Sequence, residues 1–263
     1  MSTSDPHVPI WGDEAGPADA PLVVLVHGSM DRSTGMLKLS RQIDHAFRVA
    51  RYDRRGYGRS VGPDGRHPGP FDMAHQVDDL LGVLAGRRAV LIGHSYGGNV
   101  ALALTVRHPH LVRAVAIYET PLSWEPFWPG NTAGAAAVAS AADPEAAAEK
   151  FMRRMVGDDR WEALPERTRQ TRRIEGATMV GELADLREHQ PWAAADVHVP
   201  VITSYGEHAS PHHRHGMAHV AGQIDGARLV ELPGCRHDAP LSHPALFAER
   251  IVFPLVDSLV DPA

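Results

Sequence analysis

Cysteine is almost missing from this chain: only Cys235 among 263 residues, so no internal disulfide can form and stability must come from a buried apolar core. Cys235 has no sign of activation and is expected to pack. Excess positive charge is missing too. The net charge is −6, the pI is about 6.3, and no basic run interleaves with aromatics, which argues against a nucleic-acid or anionic-membrane partner and for a small soluble molecule. No uninterrupted apolar run approaches membrane-spanning length. The polar, proline-broken stretch from Met1 to Trp11 lacks a basic segment followed by an apolar one, so a cytoplasmic protein is expected. No internal repeat is present, and nothing assigns an oligomeric state.

Two cofactor signals are also absent. Gly56-Tyr57-Gly58 lacks the third glycine and the strand-to-helix setting of a dinucleotide fingerprint. His212, His215 and His219 share one helical face, but no acidic or cysteine ligand joins them, and exposed histidines on a surface helix explain the spacing. The expectation is therefore no cofactor and no metal. Asp53, Arg54 and Arg55 read as a loop tied together by charge pairing.

What is present begins with Gly93-His94-Ser95-Tyr96-Gly97-Gly98. The run Ala89 to Ile92 before it is short, apolar and β-prone, and Asn99 to Arg107 after it reads as an apolar helix stopped by His108-Pro109. One serine therefore sits on a sharp strand-to-helix turn, the layout of a nucleophile elbow. Gly93 and Gly97 lack the Cβ atoms that would collide where strand and helix cross. The turn also aims the first N–H groups of the helix at the serine oxygen, where negative charge on a bound carbonyl would develop.

Along the chain, strands alternate with helices. Leu22 to Val26, Phe47 to Tyr52, Ala89 to Ile92, Val112 to Tyr118, Val199 to Tyr205 and Ala227 to Leu232 read as strands. Thr34 to His45, Phe71 to Leu84 and about Pro244 to Val260 read as helices. This pattern predicts an α/β fold with a mostly parallel central sheet and helices on both faces. From Pro121 to Ala195 no strong strand is seen, and a helical cap inserted over the sheet is expected. The core domain would comprise 1–120 and 196–263, with the cap at 121–195.

In that order, His27-Gly28 after the first central strand, the Asp53 to Ser60 segment, the Gly93 to Gly98 elbow, the cap position and Pro233-Gly234-Cys235-Arg236-His237 followed by His243-Pro244 resemble an α/β-hydrolase-fold protein with a cap. The likeness covers nearly the whole length. It implies a serine hydrolase in which Ser95 attacks, a histidine takes its proton and an acid orients that histidine. Of seventeen histidines, His237 falls where the family's catalytic histidine lies, although Arg236 replaces the glycine common before it.

The acid departs from the usual pattern. In most such proteins it would fall at position 209, which is Ala209. Glu119, at the end of the strand before, occupies the site used by a minority of the fold and is preferred; Glu207 is the alternative. The resemblance also implies an oxyanion hole of the backbone N–H groups of Tyr96 and Ser29, or Met30 if the loop is shifted by one. Trp124, Phe127 and Trp128 would form either the apolar pocket wall or the core of the cap, with Met30, Tyr96, Met152 and Met155 as weaker lining candidates.

The expected activity is a cofactor-independent hydrolase of a small or medium, largely apolar carboxylic ester. Carbon–carbon bond hydrolases, thioesterases, lactonases and aminopeptidases share the same machinery, and a non-catalytic binding protein of this fold is the reading from another class. Dehalogenase and epoxide-hydrolase chemistry, which the resemblance ties to an aspartate nucleophile, does not suit a serine at position 95.

Overall fold

The computed structural model describes residues 8–259. Its centre is a seven-stranded sheet in the order β1-β3-β2-β4-β5-β6-β7. The strands are β1 (Gly12–Ala15), β2 (Leu22–Val26), β3 (Arg48–Tyr52), β4 (Ala89–His94), β5 (Val112–Tyr118), β6 (Val201–Gly206) and β7 (Arg228–Leu232). All neighbouring pairs are parallel except β1 with β3. The predicted α/β class holds, with β1 as an added edge strand whose short polar sequence, Gly-Asp-Glu-Ala, carried no apolar signal.

Side chains along the central strands alternate between two cores, as the period of two requires. Val24, Val26, Leu91, Val115 and Ile117 face one apolar cluster, which includes residues of α2 (Met73–Leu84) and α3 (Tyr96–Arg107). Val23, Leu25, Val90, Ile92, Ala114 and Ala116 face the other, with residues of α1 (Leu37–Ile43) and the C-terminal helical pieces. Each valine, leucine or isoleucine among them stabilises the fold by roughly 1.5–3 kcal/mol when fully buried. Both faces are filled, which is why these strands read as continuous apolar runs.

Between β5 and β6 the chain forms five α-helices, one short 3-10 turn (Ala194–Asp196) and no strand: α4 (Ala133–Ala139), α5 (Pro144–Val156), α6 (Asp158–Glu162), α7 (Glu166–Ile174) and α8 (Gly176–Glu188). The last crossover helix, α9 (Pro211–Gln223), joins β6 to β7. The single helix expected from Pro244 is instead three pieces: Pro244–Phe247, a π turn over Ala248–Val252 and Phe253–Asp257; Val260 lies outside the described residues. Pro254 supplies no N–H to a continuing α ladder, which fits a change of helical form just before it.

One buried ion pair fastens the inserted helices to the sheet. Arg54, in the loop after β3, donates to both carboxylate oxygens of Glu182 on α8, at 2.7 and 3.2 Å, and both side chains are fully buried. Tyr57 and Gln76 complete the network. Removing one partner would strand a buried charge, at a cost of roughly 3–5 kcal/mol. Asp53 accepts the backbone N–H groups of Ser33 and Arg59 and pairs with the Arg59 guanidinium, whereas Arg54 and Arg55 pair outward, with Glu182 and with Asp79 of α2, so charge pairing ties the loop to its neighbours more than to itself, unlike the expectation.

Candidate active site

The register of three central strands builds the site. His94 of β4 pairs with Tyr118 of β5, and Tyr118 pairs with Ser204 of β6. The ladder then runs one residue further: the Ser95 N–H donates to the Tyr118 carbonyl at 2.8 Å, and the Glu119 N–H to the Ser204 carbonyl at 2.9 Å. Ser95 and Glu119 thus leave adjacent strands side by side at the carboxyl edge, where open α/β sheets place their ligands.

Both residues bend the chain in the left-handed region, Ser95 at φ 53° and Glu119 at φ 45°. For non-glycine residues this costs on the order of 1–3 kcal/mol each and persists where the surroundings enforce it. At the elbow they do. A Cβ on Gly93 would lie 2.5 Å from the Gly98 Cα, and one on Gly97 2.2 Å from the Val26 carbonyl oxygen, so strand and helix touch backbone to backbone.

His237 reaches this edge from the loop after β7. Its Nδ1 lies 2.7 Å from Glu119 Oε2. With Nδ1 donating to the carboxylate, Nε2 is left as the basic atom. The other carboxylate oxygen accepts the Gly206 N–H at 3.1 Å. Burial alone would raise the Glu119 carboxyl; the His237 hydrogen bond and charge, His213 and the Gly206 N–H outweigh it and hold it at about 2.

The histidine loop is pinned from below. His94 Nε2 donates to the His237 carbonyl at 2.8 Å, and Tyr118 Oη donates to the Arg236 carbonyl at 2.7 Å. Cys235 is buried there and packs, with burial raising its thiol. Glu207, the alternative acid, accepts the Gly234 N–H at 2.7 Å, and no hydrogen bond joins it to His237 among the described residues.

Sequence reasoning passed over His213. It lies on α9 with its ring parallel to that of His237, centroids 5.1 Å apart, and its Nδ1 is 3.4 Å from the same Glu119 oxygen. Burial, and then the charge of His237, hold this imidazole toward its neutral form. The only sequence signal was the histidine-rich helix, whose member facing Glu119 is half-buried and is not one of the three that were singled out. Glu119, His213 and His237 are also the group among the described residues that brings metal-ligand atoms together, within 4.8 Å. A metal there would have to displace the 2.7 Å hydrogen bond. The face of His212, His215 and His219 forms no such group.

Ser95, Glu119 and His237 open onto one cavity of about 360 Å³. Among the described residues the Ser95 Oγ takes part in no hydrogen bond, and the backbone N–H groups of Ser29 and Tyr96 donate none either. Ser29 lines the cavity; Tyr96 N–H opens α3. The loop before Ser29 is set by His27, whose Nε2 accepts the Arg54 N–H at 2.9 Å while Nδ1 donates to the Gly28 carbonyl at 2.8 Å.

Of the three aromatics that follow β5, Trp128 lines the cavity, beside His212 and His213. Trp124 instead packs edge-on against Trp192, and Phe127 against His215 and His219, so neither reaches the wall. Met30, Tyr96 and Met152 are buried outside it, while Met155 lines it together with Phe151, Arg154 and Leu183. From the segment between β5 and β6, the cavity is lined by residues of α4, α5 and α8 more than by the aromatic cluster after β5.

Residues 23–250 match the model of the alpha/beta hydrolase family, and the chain belongs to that family. It is 32% identical to an AB hydrolase superfamily protein, YfhM, of Bacillus subtilis over 43% of this chain, and 35% identical to a bifunctional esterase/perhydrolase, DCH, of Acinetobacter calcoaceticus over 45% of it. Each match spans 44% of the relative, less than half its length. Among solved structures, a thermophilic esterase from Thermogutta terrifontis superposes with TM-score 0.75 at 19% identity, covering 97% of both chains. An enol-lactonase from Burkholderia xenovorans superposes with TM-score 0.69 at 25% identity, covering 94% of this chain and 96% of its own. No described helix is long and apolar enough to cross a membrane.

Proposed function

We propose that the chain is a serine hydrolase that cleaves a small or medium carboxylic ester through an acyl intermediate on Ser95. One observation carries the reading: the 2.7 Å contact between Glu119 Oε2 and His237 Nδ1 at the edge of the cavity that holds Ser95. His237 Nε2 takes the Ser95 proton as Oγ bonds to the ester carbon. The charge that develops on the carbonyl oxygen meets the N–H groups of Tyr96 and Ser29. His237 then gives the proton to the departing alcohol, and a water deprotonated by the same nitrogen releases the acid. Hydroxyl and imidazole often close to full contact only around substrate, so an uncommitted Ser95 Oγ suits this step.

In this reading Glu119 stays ionised throughout. It fixes the tautomer of His237 and stabilises the imidazolium that forms. Segment 121–195 acts as the cap, restricting the size of the acyl or alcohol part. A cyclic ester is the second reading, favoured by the likeness to the enol-lactonase over nearly the full length. The test is a series of p-nitrophenyl esters from acetate to octanoate. Wild-type protein should hydrolyse the shorter members, and Ser95→Ala should lower the rate by at least about a thousandfold. Equal rates in the two proteins would overturn the assignment.

A further inference from the structure

The cavity has an uneven charge. Among the described residues that line it, Glu119 is the one carboxylate, 1% exposed and committed to His237. Against it stand two arginines, Arg154 from the last turn of α5 and Arg236 next to His237. Neither is paired with a carboxylate among the described residues. Arg154 donates only to the Asn131 carbonyl, at 3.0 Å, and Arg236 makes no side-chain hydrogen bond.

Neighbouring arginines are treated differently. Arg153, one residue from Arg154, is tied to Glu149, Asp158 and Glu162. Arg172 and Arg173 on α7 are tied to Glu175 and to Glu149 and Glu166. In a chain of net charge −6, acidic partners are plentiful, yet among the described residues none is spent on the two cations that line the cavity. An apolar ester would leave these groups unmatched.

We infer that the preferred substrate carries a carboxylate at the end remote from the scissile ester, bound by the guanidinium groups of Arg154 and Arg236. The substrate class is thus a monoester, or lactone, of a short dicarboxylic acid, in place of the largely apolar ester that the sequence suggested. The planar fork of arginine matches a carboxylate in two parallel hydrogen bonds, and one guanidinium comes from the inserted helices while the other comes from the core. Both arginines are exposed, so solvent and salt weaken the pairing, and an effect nearer tenfold than a thousandfold is expected.

This inference rests on the assignment of Ser95 as nucleophile, and the experiment separates the two. Hydrolysis of monomethyl adipate and of methyl hexanoate, equal in chain length, is followed by pH-stat. Wild-type protein should favour the anionic ester in kcat/KM by about tenfold or more, and Arg154→Gln and Arg236→Gln should each reduce that ratio by about tenfold, with Arg154→Lys in between. Adipate is also titrated calorimetrically into Ser95→Ala protein, with and without Arg154→Gln. Tighter binding of adipate than of dimethyl adipate, weakened about tenfold by Arg154→Gln, supports the anion site even if neither ester is turned over. Equal kcat/KM for the two esters, or adipate binding no tighter than the neutral diester, overturns it.

Discussion

Two neighbouring strands, β5 and β6, both run out into a glutamate, and the two carboxylates meet different fates. At the end of β5, Glu119 itself takes the left-handed turn, and its side chain goes inward to His237 and the Gly206 N–H. At the end of β6, Gly206 closes the strand, and Glu207 faces solvent and tethers the Gly234 N–H. Three residues past Gly206 the chain presents Ala209 to the cavity. Residue type did not separate these glutamates; the left-handed backbone at Glu119, which Glu207 lacks, did.

The sharpest way to break this comparison is to neutralise each acid in turn. Glu119→Gln should lower kcat by about 10³ to 10⁴, because an amide cannot stabilise the imidazolium and favours the wrong tautomer. Adding Ala209→Asp to that variant should restore about tenfold, since a carboxylate there enters the cavity from the neighbouring strand end; steady-state hydrolysis of the best ester reads both effects. No gain from Ala209→Asp would mean that the two strand ends are not interchangeable.

Next in size is a stability effect. The Glu119 carboxyl lies at about 2 against an ordinary 4.5, so its stabilisation is fully present above the unfolded value and is lost as the pH falls from about 5 through about 2. A shift of that size corresponds to roughly 3 kcal/mol. Urea midpoints measured at pH 6 and pH 3 should therefore fall more steeply for wild-type protein than for Glu119→Gln. Parallel curves would show that Glu119 titrates alike in the folded and unfolded chain.

Much of this could be read from the residues. Leu22 to Val26 and Ala89 to Ile92 are apolar on both faces, which forces central parallel strands, and the glycines around Ser95 fix a sharp turn whatever the rest of the chain does. Trp124 and Phe127 were harder, because an aromatic beside a site has the same sequence signal whether it faces the cavity or the histidines of α9. His213 was hidden for a related reason: helical spacing sorts residues by face, and the buried face of α9 depends on where β6 and the His237 loop lie. Arg154 reads as one more charge on a polar helix until the partners of Arg153 are known.

The central claim is that Glu119, and not Glu207, activates Ser95 through His237. The second-order rate of Ser95 labelling by a fluorophosphonate tests it most directly, since the reagent reports on the nucleophile without regard to the natural substrate. Labelling should slow by at least about a hundredfold in Glu119→Gln and stay within about twofold of wild type in Glu207→Gln. The opposite ranking would contradict the account.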